Sequence, residues 1–155
     1  MRLSTRGRYA VMAMVDLAKH AAGRPVPLAE IAERQEISLS YLEQLFAKLR
    51  HGGLVTSVRG PGGGYKLAFS AGKMRISDVI LAVDEPIRAT RCRPGTPAGC
   101  RGDKSRCLTH ELWEELGNQI HRYLSSVSLA DIVERRPLGA SKGGRRDGAA
   151  ALAAQ

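Results

Sequence analysis

The sequence predicts a mainly α-helical protein with a small β-hairpin wing: a winged helix-turn-helix domain followed by a long dimerisation helix. Apolar residues recur at helical spacing in three segments before residue 52, and a PGGG turn separates two segments of strand-like alternation. A four-residue leucine repeat runs through the last third of the chain. The order helix, helix, turn, helix, hairpin is typical of a winged helix-turn-helix domain, which we assign to residues 1–70.

Three helices are predicted over residues 4–22, 28–35 and 39–51. Ser4 or Thr5 can cap the first helix, and the glycine pair after residue 51 ends the third. Each helix carries an apolar stripe that can face a core. The stripe residues are Tyr9, Met12, Ala13 and Leu17, then Leu28, Ile31 and Ala32, then Leu39, Leu42, Leu45, Phe46 and Leu49.

The outward positions of the third helix are the first candidates for contact with DNA. Gln44 can form paired hydrogen bonds to adenine, and Glu43 can accept one from a cytosine amino group. Ser40 and Glu43 also fit an S-x-x-E capping box, so base contact and helix capping both remain open for them. The candidates on this helix are Ser38, Ser40, Tyr41, Glu43 and Gln44.

The second candidate surface is the wing, in which LVTSVRG and YKLAF form the strands and PGGG the turn. Arg59 and Gly60 lie at its tip, where glycine lets the backbone approach DNA closely and arginine can enter a narrow minor groove. A nucleotide-binding glycine loop would need a Lys-Ser/Thr pair or a strand-to-helix context. Here strand follows strand, which disfavours that alternative.

After the wing, residues 71–90 connect the domain to the rest through a helix over 76–84, and residues 91–110 form a loop rich in Gly and Pro. Residues 108–136 hold the dimerisation helix and a short C-terminal helix, whose start at Ser128 and Asp131 resembles a capping box. The repeat of Leu108, Leu112, Leu116, Ile120 and Leu124 favours a dimer interface over packing within one chain. Residues 137–155 are rich in Gly, Ala and Ser and are expected to be disordered.

The charge of the chain indicates a polyanionic partner. Its 24 Lys and Arg residues outnumber 15 Asp and Glu, which gives a net charge of +9. Nucleic acid is favoured over a membrane surface as the partner. The first apolar segment is interrupted by Asp16 and Lys19, and we expect a cytoplasmic protein with no membrane span.

All three cysteines, Cys92, Cys100 and Cys107, lie with His110 in RCRPGTPAGCRGDKSRCLTH. In the cytoplasm thiols stay reduced, which argues against a disulfide. Zinc accepts three cysteines and a histidine, but the short spacing of a zinc knuckle is absent. An iron–sulfur site, a zinc site and a redox-active thiol remain open, in that order of preference. The chain has no C-x-x-C, H-E-x-x-H or nucleophile elbow, so an enzyme is not expected.

The segments SLSYLEQLFAKLR, GLVTSVRGPGGGY and ATRCRPG…C…CLTHELW resemble the iron–sulfur cluster regulators, a family of winged-helix transcription factors. The resemblance covers roughly residues 1–135. It implies a homodimer that binds double-stranded operator DNA and represses cluster-assembly genes when it carries a [2Fe–2S] cluster. It also implies that the cluster-assembly machinery donates the cluster.

By the same resemblance, the cluster ligands are Cys92, Cys100, Cys107 and His110. Glu43 matches a family position whose carboxylate opposes one operator class until cluster loading reorients it. The spacing C-x7-C-x6-C is longer at both gaps than in the best-known members, so the path of the loop is not implied by the resemblance.

Overall fold

The computed structural model describes residues 4–90, 92 and 99–138. From residue 139 onward the tail that we expect to be disordered lies outside the described residues, as do residues 91 and 93–98 of the loop. Within the described part no helix is long and apolar enough to cross a membrane.

The described residues form six helices and one β-hairpin. In chain order they are α1 (Thr5–His20), α2 (Leu28–Gln35), α3 (Leu39–His51), β1 (Val55–Val58), β2 (Gly64–Leu67), α4 (Ile76–Ala82), α5 (His110–Ser126) and α6 (Leu129–Val133). A mainly helical chain with a two-stranded wing was predicted, and this fold class is confirmed.

The core lies among α1, α3 and α4, with apolar side chains from each helix buried together. α1 contributes Ala13, Met14 and Leu17, and α3 contributes Leu42 and Phe46 among its fully buried residues. Burial of these side chains is the main force that holds three short helices in a fixed arrangement.

Two stripe positions were predicted wrongly. Leu39 is 43% exposed because it is the first residue of α3, and a helical side chain there points back beyond the helix start. Met12 is 37% exposed, whereas Met14 is fully buried in its place. The buried face of α1 is therefore rotated towards Ala10 and Met14 relative to the predicted stripe.

The hairpin is fastened to the helices at its base. β1 and β2 pair antiparallel with Val55 opposite Leu67, and Val26 adds a bridge to Tyr65 through hydrogen bonds of 2.9 and 2.8 Å. A Cβ on Gly64 would lie 2.4 Å from the Val26 carbonyl carbon, so this position requires glycine. The tip of the hairpin is left to project from the base.

α6 returns the chain to the core. Its start is the predicted capping box, in which the Ser128 hydroxyl accepts from the Asp131 N–H and the Asp131 carboxylate accepts from the Ser128 N–H at 2.9 Å. Leu129 also donates its N–H to the Met74 carbonyl oxygen at 3.0 Å. These contacts fix the C-terminal end of α5 beside α4.

α5 leaves an apolar face uncovered in the single chain. Leu112 is 61% exposed, and Trp113 and Tyr123 are also exposed. Near its C-terminal end the helix meets α4, where the Ser125 hydroxyl donates to the Ser77 hydroxyl at 3.0 Å. Leu116, Ile120 and Leu124 of the repeat are half-buried, so the exposed apolar stripe of α5 consists of Leu112, Trp113 and Tyr123.

Candidate functional site

The start of α3 presents a polar surface. Ser38, Ser40, Glu43 and Gln44 are all exposed. Ser38 is the N-cap, since its hydroxyl accepts from the Tyr41 N–H at 3.3 Å. The alternative in which Ser40 and Glu43 form a capping box is therefore wrong: both lie inside the helix, and their side chains are free to face a ligand.

Tyr41 is more enclosed than the other candidates on α3. It is half-buried, and its ring packs edge-to-face on Tyr9 with centroids 6.0 Å apart. The side chain thus joins α3 to α1, and only part of it remains accessible to a ligand.

The glycines of the wing tip differ in how closely other atoms surround them. Gly60 and Gly62 have φ values of 95° and 72° and open space around them, as a surface turn requires. The Gly63 N–H donates to the Gly60 carbonyl oxygen at 2.9 Å, and a Cβ on Gly63 would lie 2.4 Å from the Val58 oxygen. Gly63 is therefore needed by the turn itself, and Gly60 with its exposed neighbour Arg59 forms the accessible tip.

Part of the positive charge near the DNA-binding candidates forms no salt bridge among the described residues. Residues 1–70 hold ten Lys or Arg and five Asp or Glu, a net of +5. Among the described residues, Arg50 and Arg59 form no salt bridge, whereas Arg24 and Arg34 pair with acids on α1 and α2. Free positive charge therefore remains near the end of α3 and at the wing.

A second site lies where the loop meets α5. Cys92, Cys100 and His110 place their ligand atoms within 4.8 Å of one another, and we call these three residues the Cys–His centre. The Cys92 and Cys100 sulfurs are 3.2 Å apart, and the Cys100 sulfur is 3.0 Å from His110 Nδ1. His110, the first residue of α5, is 4% exposed, whereas the Cys100 thiol is exposed.

Cys107 lies beside the Cys–His centre but is not one of the three converging groups. Its backbone N–H and its side chain hydrogen-bond the Cys100 sulfur, and its own sulfur lies 3.7 Å from Thr109 Oγ1. α5 was predicted to begin near Leu108 but begins at His110. Cys107 is therefore in the turn before the helix, and its side chain does not share a helical face with His110.

Hydrogen bonds within the centre separate the acidities of its thiols. Donation from the Cys107 backbone N–H, then from the Cys92 thiol and the His110 ring, lowers the pKa of Cys100 to about 6. The Cys92 pKa is raised because its thiol donates to Cys100, and the attraction of Arg106 does not compensate. The Cys100 thiolate is thus favoured mainly by hydrogen bonds from its neighbours.

Sequence reasoning missed Glu114, four residues after His110. The buried His110 Nε2 has no hydrogen-bond partner among the described residues, and Glu114 Oε2 lies 3.7 Å away, beyond hydrogen-bonding distance. A small side-chain movement would close this gap. Histidine ligands commonly donate their second ring N–H to a carboxylate, and the i, i+4 spacing is the sequence signal for it.

The profile of the Rrf2 family, described as iron-dependent transcriptional regulators, matches residues 3–135. The chain belongs to the Rrf2 family. The IscR regulator of Xenorhabdus nematophila is 56% identical to it over 136 residues, which cover 88% of this chain and 81% of that protein. The IscR of Yersinia pestis is 54% identical over 138 residues, 89% of this chain and 82% of that protein.

Solved structures of Rrf2 proteins share the fold. The T. potens IscR structure has a TM-score of 0.70 and 36% identity, covering 93% of this chain and 94% of that one. CymR, the global cysteine regulator of B. subtilis, has a TM-score of 0.71 and 32% identity, covering 88% of this chain and 99% of that one.

These similarities confirm the family resemblance and give the biochemical class. Like its relatives and structural neighbours, this Rrf2 protein is a DNA-binding transcriptional regulator and not an enzyme. The grouping of cysteines and histidine, together with the IscR relatives, points to a metal or cluster cofactor.

Proposed function

We propose that this Rrf2 regulator binds operator DNA as a homodimer and that a [2Fe–2S] cluster controls the binding. The observation that carries the proposal is the convergence of Cys92, Cys100 and His110 within 4.8 Å, where the loop after the DNA-binding domain meets α5. Cys107, hydrogen-bonded to Cys100, is the fourth proposed ligand.

The donor set fits such a cluster. Iron–sulfur clusters take thiolates, and an imidazole can replace one of them. Cys100 ionises near neutral pH, with a pKa of about 6, so one thiolate is available without a metal. His110 is held by burial with Nδ1 towards the thiols, so this ligand is already oriented.

When bound, the cluster would supply a redox-active and chemically labile group that reports iron and sulfide supply. Three cysteine thiolates bound to a cluster of charge 2+ would give the loaded centre a net charge of −1. Arg101, Lys104 and Arg106 in the described part of the loop offset that charge. Ligation would fix the cysteines relative to His110, and a ligand shifts a conformational balance only by its different affinity for the two states.

For DNA contact we propose the exposed residues at the start of α3. Ser38, Ser40, Glu43 and Gln44 would face the major groove, with Tyr41 contributing its accessible part. Arg59 and Gly60 at the wing tip would contact the adjacent minor groove or the phosphates that border it.

For the homodimer we propose the exposed apolar stripe of α5 as the interface. A two-fold axis would pair this stripe with its copy and bury Leu112 and Trp113 from both chains. Two DNA-binding domains would then read two half-sites about one helical turn apart.

From its IscR relatives we further infer the biological setting. By the resemblance to iron–sulfur cluster regulators, the protein would repress cluster-assembly genes in the cytoplasm when loaded and would receive its cluster from the assembly machinery. Glu43, exposed on α3, would give the protein its discrimination between operator classes.

The test is an anaerobic DNA-binding titration with loaded protein, cluster-free protein and Cys92→Ala. We expect loading to change operator affinity by about 5- to 150-fold, the usual range of coupling between sites. Cys92→Ala should bind like cluster-free protein under all conditions. Unchanged affinity at every operator, in a protein shown to carry iron and sulfide, would favour a DNA-binding protein without a sensing role.

One observation favours a second candidate function, a redox or zinc sensor. The Cys92 and Cys100 sulfurs are 3.2 Å apart, close enough to oxidise together or to share a zinc ion. Metal analysis separates the alternatives, because a zinc protein is colourless and a thiol sensor binds neither iron nor zinc.

A further inference from the structure

The segment that leads into the cysteine loop is tied to α1 through Glu85. The Glu85 carboxylate accepts hydrogen bonds from the Ser4 N–H at 2.6 Å, the Ser4 hydroxyl at 2.5 Å and the Gly7 N–H at 2.7 Å. The Ser4 side chain caps nothing itself, and α1 has no acidic residue in its first turn. Glu85 therefore supplies both the cap and the negative charge that this helix end favours, from 81 positions away.

The fit between Glu85 and α1 depends on a glycine. A Cβ on Gly7 would lie 2.4 Å from Glu85 Oε2, so any side chain there would displace the carboxylate. Burial raises the Glu85 pKa, but the hydrogen bonds from Ser4 and Gly7 outweigh it and leave the pKa below its ordinary value. The carboxylate is therefore ionised where it contacts the helix.

The preceding residue contacts the DNA-reading helix. Asp84 Oδ2 lies 2.6 Å from Lys48 Nζ in the last turn of α3. Asp84 has a φ of 58°, which turns the chain sharply after α4 and sends its side chain and that of Glu85 to different helices. Two consecutive acidic residues thus contact two helices: Asp84 pairs with α3, and Glu85 accepts hydrogen bonds from the start of α1.

The other end of the same segment reaches the Cys–His centre. A Cβ on Gly117 of α5 would lie 3.1 Å from the Ala89 nitrogen, so α5 and this segment are in close contact. Cys92 follows Glu85 by seven residues. The chain from Asp84 to Thr90 therefore runs from the two DNA-domain helices to α5, and the proposed ligand Cys92 lies two residues further on.

We propose that Asp84 and Glu85 are positioning residues that couple ligation at Cys92 to the placement of α1 and α3. The proposal rests on the proposed function, because it needs a cluster that fixes Cys92. Ligation restricts the segment, which favours the arrangement in which both carboxylates keep their contacts. Operator binding favours the same arrangement because it needs α3 correctly placed, so the two events are linked.

The test compares operator affinity of cluster-loaded and cluster-free protein, at the operator with the largest loading effect in the wild type. We expect Glu85→Gln, with unchanged iron and sulfide content, to lower the loading effect about 5-fold or more. Asp131→Asn is the matched control, because Asp131 caps α6 in the same manner and its hydrogen bonds go to Ser128 and Arg136, not to the loop, α1 or α3. It should keep the wild-type ratio.

A second variant protects the test against misfolding of the first. Asp84→Asn breaks an exposed ion pair and should fold, with a loading effect about 2-fold smaller than the wild type. Amide hydrogen exchange gives a readout besides DNA binding. Loading should slow exchange at Gly7 in the wild type and leave it unchanged in Glu85→Gln.

The outcomes are distinguishable. A wild-type loading effect that persists in Glu85→Gln and Asp84→Asn overturns the coupling role and leaves the proposed function standing. An equal loss in Asp131→Asn also overturns it, since general destabilisation then explains the result. A loaded wild type whose affinity equals that of the cluster-free protein overturns the proposed function and the coupling together.

Discussion

At the residue scale, Asp16 shows how one buried charge fixes the helix-turn-helix. Its side chain is fully buried in α1 and accepts hydrogen bonds at 2.7 Å from Arg34 and from Gln35, both on α2. Burial raises the Asp16 pKa, but the bonds from Arg34 and Gln35 outweigh it and hold the pKa below its ordinary value of 3.8. Asp16 therefore locks α1 to the helix that precedes α3.

Asp16→Asn should destabilise the protein by on the order of 3 kcal/mol at neutral pH, the low end for a broken buried pair because Arg34 is 30% exposed. The stability from Asp16 is present above the ordinary pKa and is lost as pH falls through the lowered one. The variant should therefore lose less stability than the wild type on acidification below about pH 4. Urea unfolding at neutral and acidic pH measures this effect.

The control for Asp16→Asn is Glu33→Gln, an exposed change on α2 that should stay within about 0.5 kcal/mol of the wild type. An Asp16→Asn variant as stable as this control would mean that the ion pair does not hold α1 and α2 together.

Gln44 carries a second prediction at this scale. It is exposed in the second turn of α3, and its amide can pair with an adenine edge. Gln44→Ala should cost about 1–3 kcal/mol of operator binding and relax the preference at one base position. A binding titration against a panel of single-base operator variants measures both effects.

Asn118→Ala removes an exposed amide from α5, on the side of the helix away from Leu112, and should leave operator affinity unchanged. If Gln44→Ala weakens all operator variants equally, Gln44 contacts phosphate or supports the fold and does not read a base.

At the scale of elements, the helices of the DNA-binding domain follow from local sequence. Their apolar residues recur at helical spacing and glycine ends α3, so their positions could be predicted within about two residues. Leu39 could not be placed, because its exposure depends on what covers the first turn of α3. The side-chain cap of α1 was predicted to come from Ser4 or Thr5, but Glu85 supplies it, and no local pattern reveals a partner so far along the chain.

α5 carries the prediction that belongs to this scale. Leu112 is 61% exposed in a single chain, and a two-fold interface would bury Leu112 of both chains. Leu112→Glu should lose about 1.5–3 kcal/mol of dimer stability per chain and shift the protein to monomers. Sedimentation velocity over a concentration series measures the shift.

Leu81→Glu is the control for this change, because Leu81 is an exposed leucine on α4, outside the stripe of α5. It should leave the oligomeric state unchanged. A Leu112→Glu protein that sediments like the wild type would place the dimer interface elsewhere.

At the scale of the whole molecule, the fold joins a basic DNA-binding domain to a Cys–His centre through one short segment. All four candidate ligands could be found from the sequence, and the family resemblance predicted that they bind a [2Fe–2S] cluster. Neither could predict that Cys107 would lie in a turn beside the other three, because the start of α5 and the long Cys spacings decide its position. The proposed function therefore depends first on what the centre binds.

Purification under anaerobic conditions, followed by an absorption spectrum with iron and sulfide analysis, tests that claim directly. The account predicts coloured protein with a ligand-to-metal absorption band and about two irons and two sulfides per chain. Colourless protein that contains one zinc per chain and no sulfide would contradict it.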